Sequence, residues 1–228
     1  HQVIRDVLPE QHHARITCLS GPSFAEEIAH HKATVVTIAC EDETYAISVQ
    51  ATLSCPWFRC YTSTDVTGVE LGGAIKNVIA IAAGVVEGLG LGSNALAALM
   101  TRGLAEVSRL ACAMGGRRDT LAGLSGIGDL ILTCTGGLSR NRHVGIELGR
   151  GRALEEILAE MHTVAEGVTT TNVALELGRR HSVDMPIAAQ MAAVLAGHTD
   201  PRLAVEALML RRQRPEADGP SEAGPLVR

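Results

Sequence analysis

"TSTDVTGVELGGAIKNVIAIAAGVVEG", residues 62–88, is where the pattern of the chain changes, and its reading decides the fold. Upstream, short β-like runs alternate with helical ones. "ARITCLSG" (14–21), "ATVVTIAC" (33–40) and "FRCYTS" (58–63) read as buried strands. "PSFAEEIAHH" (22–31), with Pro22 in its first turn, and "DETYAISVQATLS" (42–54) read as helices between them. From the "TSTD" onward the strands stop. A helix is expected over 65–86, and a second over 94–115, where apolar residues recur at three-and-four spacing from Leu96 to Met114. Shorter helices are expected over 129–134, 141–148, 154–161, 167–180, 187–196 and 201–210.

The fold class that follows is α/β followed by all-α. Residues 1–64 form the C-terminal part of a Rossmann-type sheet, 65–212 a multi-helix domain, and 213–228, rich in Pro, Glu, Gly and Arg, a disordered tail. Three strands in about 60 residues make only half of a doubly wound sheet, so the chain reads as the back end of something longer. No G-x-G-x-x-G follows a strand candidate; "GLGLGSNAL" comes closest and follows a helix.

Composition narrows the function classes. The 228 residues are 46% hydrophobic, enough for a real core. A net charge of -5 and only 2% aromatic residues argue against nucleic acid. No apolar run reads as a bilayer span and no signal peptide opens the chain, so a cytoplasmic protein is expected. The six cysteines form no C-x-x-C pair and read as reduced core thiols, and the pairs His12-His13 and His30-His31 as surface residues; no metal is expected.

Within the opening stretch Lys76 is the anomaly, an ammonium in an otherwise apolar helix. It shares a face with Gly72, Gly73, Ala80, Ala83 and Gly84, a surface that lets a ligand or another backbone come close. A lysine partly withdrawn from water gives or takes a proton near neutral pH, and Asn77 stands ready to orient the same ligand. Snorkelling to the surface, or pairing with Glu70 or Glu87, explains the lysine equally well.

Two further constellations carry chemistry. In "GLSGIGDLILTCTGGLSRNR" (123–142), Asp129 and Thr133 are four residues apart and share a helix face. Ser139, Arg140 and Asn141 open the next helix, where a guanidinium, an amide and free N–H groups suit a phosphate dianion. A dipole-complementing Asp129 and an N-cap Ser139 beside a solvated Arg140 are the plain alternatives. In "LSGPSF" (19–24), Gly21 and Ser23 stand at the C-terminal end of a strand, where ligands sit in open α/β sheets; an ordinary strand-to-helix turn reads the same.

Taken in order, "LSGPSFAEEIA", "GVELGGAIKNVIAIAAG", "TRGLAEVSRL", "GLSGIGDLILTC", "SRNRHVGIELGRG" and "TVAEGVTTT" closely resemble the bacterial-type NAD(P)-dependent glycerol-3-phosphate dehydrogenases, over residues 16 to 212. The resemblance implies a homodimer that interconverts dihydroxyacetone phosphate and sn-glycerol 3-phosphate with NADPH or NADH, toward phospholipid precursors. Residue by residue it implies that Lys76 is the proton donor and acceptor. Gly21, Ser23, Asp129, Thr133, Ser139, Arg140 and Asn141 then surround the phosphate substrate, and Ala25, Arg140, Val164 and Glu166 touch the dinucleotide. The Gly-rich cofactor turn of the family does not occur in this sequence, so this chain alone is expected to bind dinucleotide poorly and to be inactive. The rival expectations are another hydroxy acid dehydrogenase that joins a Rossmann domain to a helical one, and a silent helical module that needs a partner chain.

Overall fold

A computed structural model describes residues 1–161, 163–213 and 215–216. The expected disordered tail lies almost wholly outside the described residues.

The first part is a three-stranded sheet with its helices. A short helix α1 (Gln2–Arg5) and a 3₁₀ turn (Glu10–Arg15), neither anticipated, lead into β1 (Thr17–Ser20). Then come α2 (Ala25–Ala29), β2 (Thr34–Cys40), α3 (Glu43–Leu53) and β3 (Phe58–Ser63). The order is β1-β2-β3. β2 and β3 are parallel with Val36 opposite Cys60, whereas β1 runs antiparallel to β2 with Ser20 opposite Thr37. Val36, Ile38 and Cys60 pack with Val49 of α3, while Ala39 and Cys18 meet Val66 and Val69 of the next helix, so the sheet is covered on both sides. Asp42 caps α3 by accepting the Tyr45 N–H at 3.0 Å. Pro22 is not in the first helical turn: α2 begins at Ala25 with Phe24 as its N-cap. The proline instead belongs to the turn leaving β1.

That turn is set by Gly21. Its φ is +142°, and a Cβ there would stand 3.0 Å from the Val36 Cα, so both backbone conformation and space require glycine.

The helical part is built around α4 (Val66–Gly88), which starts at an Asp65 cap accepting the Gly68 N–H at 2.8 Å. Fifteen of its 23 residues are buried, and each buried Val or Ile is worth about 1.5–3 kcal/mol relative to exposure. By length and apolarity α4 would pass for a membrane span, which the sequence reading did not foresee; here it is mostly buried as the core helix of a folded domain. Around it lie α5 (Gly92–Ala113), α6 (Arg118–Leu121), a π-helical turn (Leu124–Gly128), α7 (Asp129–Thr135), α8 (Arg140–Gly149), α9 (Leu154–Glu160), α10 (Gly167–Arg180), α11 (Pro186–Leu195) and α12 (Pro201–Met209). α6 and the π turn were not anticipated; four residues of helix are too short for a periodic signal.

α4 and α8 cross at backbone distance. A Cβ on Gly145 would fall 1.9 Å from the Ile81 carbonyl oxygen, and one on Gly84 would fall 2.1 Å from that of Arg142. This crossing brings the start of α8 alongside α4 beyond Lys76.

The cysteine reading holds in part. None is in a disulfide; Cys40, Cys60 and Cys134 are buried, but Cys55 and Cys112 are exposed. Cys112 lies in the last turn of α5 on its outer face, and Cys55 follows the end of α3, so apolar neighbours in sequence did not imply burial.

Candidate functional site

Lys76 sits midway along α4 with its side chain 20% exposed, and its ammonium donates to the carboxylate of Asp129, which is buried. Neither Glu70 nor Glu87 is its partner: Glu87 pairs with Arg142 at 2.5 Å, and Glu70 meets the His1 ring nitrogen at 2.6 Å. Asp129 is brought there by the π turn, whose Ser125 carbonyl packs on Gly72 and delivers the chain to the first residue of α7.

Three groups converge on that carboxylate. Burial pushes the Asp129 carboxyl above its ordinary value, while the Lys76 ammonium, the Thr133 hydroxyl and the Gly21 N–H pull it back. The Thr133 hydroxyl donates to the Asp129 carbonyl oxygen at 2.6 Å and reaches the carboxylate at 3.3 Å. Asp129 is therefore a buried, fully engaged anion rather than a helix-start carboxylate facing water.

Beside the pair is a cavity of about 290 Å³ lined by Cys18, Leu19, Ser20, Gly21, Ser23, Val69, Glu70, Gly73, Lys76 and Asp129. Four of the anticipated site residues, Gly21, Ser23, Lys76 and Asp129, thus share one wall system, with Thr133 just behind Asp129. Ser23 donates to the Gly21 carbonyl at 2.9 Å, which holds the turn. The physical reason for this proximity differs from the one expected. Because β1 is antiparallel to β2, its end does not lie at the carboxyl edge of the parallel pair; it reaches Lys76 because β1 packs across α4, Ser20 lying against Gly73. The room around Lys76 is also narrower than its Gly/Ala face implied. Gly72 and Gly84 are filled by neighbouring backbone, and of the small residues on that face only Gly73 lines the cavity.

Ser139, Arg140 and Asn141 do not line this cavity. Ser139 caps α8 by accepting the Arg142 N–H at 3.3 Å, and the Asn141 side-chain oxygen accepts the Gly167 N–H at 2.8 Å. Arg140 donates to Glu166 at 2.8 Å across an exposed gap between α8 and α10. The link to Lys76 is Asn77: a Cβ on Gly167 would stand 2.6 Å from the Asn77 carbonyl oxygen, so the starts of α8 and α10 abut α4 one residue beyond the lysine. Ala25 and Val164 are exposed. Ser20, Glu70 and Cys18 are lining residues that the sequence reading did not single out. Ser20 stood inside "LSGPSF", but strand alternation does not say which side a helix will cover.

Elsewhere, Glu106 of α5 is buried and accepts the Ile187 and Ala188 N–H groups at 2.9 and 3.0 Å, capping α11, which begins with Pro186 and has no cap of its own. Among the described residues, no group of three His, Cys, Asp or Glu side chains is placed to hold a metal.

Comparisons with known proteins identify the family and the fold. The family profile described as NAD-dependent glycerol-3-phosphate dehydrogenase C-terminus matches residues 65–206, and the corresponding N-terminus profile matches 1–46. A glycerol-3-phosphate dehydrogenase [NAD(P)+] of Syntrophotalea carbinolica is 56% identical over 217 residues, 95% of this chain and 65% of its own length. Its Myxococcus xanthus counterpart is 53% identical over 218 residues, 96% of this chain and 65% of the relative. The crystal structure of glycerol-3-phosphate dehydrogenase from Coxiella burnetii superposes with a TM-score of 0.83 at 42% identity, over 86% of this chain and 60% of that one. A Plasmodium falciparum structure of the same name, at 21% identity and TM-score 0.82, shows the likeness of fold. The chain spans just under two thirds of the curated relatives it matches. With both profiles in register and the Lys76–Asp129 pair inside the matched region, this chain belongs to the NAD-dependent glycerol-3-phosphate dehydrogenase family.

Proposed function

We propose that this chain provides the substrate-binding and proton-transferring part of an enzyme that interconverts dihydroxyacetone phosphate and sn-glycerol 3-phosphate. The observation that carries the reading is the partly exposed Lys76 ammonium held by a buried carboxylate at the wall of a cavity large enough for a three-carbon phosphate.

The chemistry follows from the groups present. Reduction of the ketone puts negative charge on its oxygen, and the Lys76 Nζ beside it stabilises that charge and gives up a proton to form the alcohol. Asp129, locked by Thr133 and Gly21, fixes where that ammonium points, and the 20% exposure of the lysine side chain lets it regain a proton from water. In the reverse direction the same amine takes the alcohol proton. Ser139, Arg140 and Asn141 are assigned to the phosphate. With its oxygen occupied by Gly167, the Asn141 amide has its NH₂ as donor.

NADH or NADPH supplies the hydride when bound. The residues present fit the outer wall of such a site: Arg140 and Glu166 meet at the surface, and Ala25 and Val164 are exposed. The pyrophosphate cradle is not among these residues. A homodimer, a cytoplasmic location and supply of phospholipid precursor complete the proposal.

The test is NADPH oxidation driven by dihydroxyacetone phosphate, measured on this chain alone and within a polypeptide of the relatives' full length. Turnover in the long form that disappears with Lys76→Ala supports the reading. A long form that reduces a 3-oxo acid to its 3-hydroxy acid but does not reduce dihydroxyacetone phosphate, or that is silent with both, overturns it.

A further inference from the structure

The surroundings of Lys76 are chemically distinct on its two sides along α4. Before it, lining the cavity, lie Ser20, Gly73 and the Glu70 carboxylate. Past Lys76, beyond the residues that line the cavity, α4 continues to Asn77, against which the starts of α8 and α10 are packed with Asn141, Arg140 and Glu166. With a rise of about 1.5 Å per residue, Gly73 and Asn77 are about 6 Å apart along the helix, with Lys76 between them. That spacing is comparable with the length of a three-carbon phosphate.

Charge decides which way round such a molecule lies. The Glu70 carboxylate, already paired with His1, offers a phosphate dianion no donor, whereas the α8 start offers a guanidinium and helix N–H groups. The uncharged end of the substrate must then face Ser20. The Ser20 hydroxyl lines the cavity, makes no hydrogen bond within the described residues, and lies 2.8 Å from where a Gly73 Cβ would be, so it rests over the helix face that leads to Lys76. A hydroxyl with an unused donor and acceptor, facing a cavity next to the proton-transferring lysine, is suited to a second hydroxyl.

We infer that Ser20 hydrogen-bonds the free hydroxymethyl group of the substrate and so fixes its orientation, phosphate toward α8 and hydroxymethyl toward β1. The inference rests on the function proposed above and adds a specificity-determining residue to it. Gly73 is part of the device, because a side chain there would push the Ser20 hydroxyl aside.

The test compares dihydroxyacetone phosphate with hydroxyacetone phosphate, the analogue lacking that hydroxyl, using the polypeptide of the relatives' full length. In the wild type, kcat/KM favours dihydroxyacetone phosphate. Ser20→Ala lowers kcat/KM for dihydroxyacetone phosphate about tenfold and for the analogue less than about twofold, as expected when a hydrogen bond to a substrate hydroxyl is lost. Ser20→Thr, which keeps the hydroxyl, restores most of the preference. Equal losses on both substrates, or no loss on dihydroxyacetone phosphate, overturn the role of Ser20 while leaving the proposed reaction intact. A wild type inactive on both compounds overturns the reaction itself.

Discussion

The side-chain oxygen of Asn141 accepts the Gly167 N–H at 2.8 Å, a buried bond that ties the start of α8 to the start of α10. A residue proposed above for phosphate recognition is thus also a structural cap. Asn141→Ala leaves a buried helix-start N–H unpaired and is expected to cost about 1–3 kcal/mol of stability in addition to substrate affinity. Urea denaturation of the chain alone measures the first effect without any activity. An unchanged midpoint would mean that water replaces the amide.

Lys76→Ala removes the proposed proton donor, and turnover in the long form should fall by at least about 10²-fold. Its stability cost should depend on pH. The folded Asp129 carboxyl already lies above its unfolded value, so the stability it contributes is present at low pH and lost as pH rises through that folded value. Without the ammonium the carboxyl moves further up and the loss grows. The Tm difference between wild type and variant should therefore be larger near about pH 8 than near about pH 4. A constant difference would show that Lys76 does not hold the charge of Asp129.

Glu106 makes a separate pH prediction. Burial pushes its carboxyl up to about 7, against the pull of the Ile187 and Ala188 N–H groups and Arg109, with Asp184 adding to the rise. The folded value is above the unfolded one, so its contribution is complete below the ordinary carboxylate range and is lost as pH rises through about 7. Glu106→Gln cannot titrate and leaves one of the two N–H groups facing an NH₂. The variant should be less stable than wild type at low pH, with the gap narrowing toward neutrality. Thermal melts across that range decide; parallel curves would refute it.

The α4–α8 crossing makes a steric prediction. Gly145→Ala drives a methyl onto the Ile81 carbonyl and should cost about 1–3 kcal/mol or more, whereas Gly137→Ala, with nothing within 4 Å, should be near neutral. Denaturant midpoints of the two variants test the contrast.

Much of this molecule is legible in the sequence because it is local. The three strands, the switch to helices after residue 64, and the caps at Asp42, Asp65 and Ser139 follow from periodicity and from which side chains can accept an N–H. Lys76, Asp129, Gly21 and Ser23 were identifiable as a group because the resemblance spans them in order, and alone each had an ordinary alternative.

What the order of residues could not express is where one element lies across another. The antiparallel course of β1, the Asp129 partner of Lys76, the double duty of Asn141, the Glu106 cap on α11, and Ser20 as a cavity wall all depend on helices and strands that meet across long stretches of chain, up to the 82 residues between Glu106 and Ala188. The strand and helix patterns themselves were set by the sequence, because backbone periodicity is a property of neighbours. The partner of each buried charge was decided only by the tertiary structure, because a charge out of water takes whichever opposite group or N–H the packing brings to it.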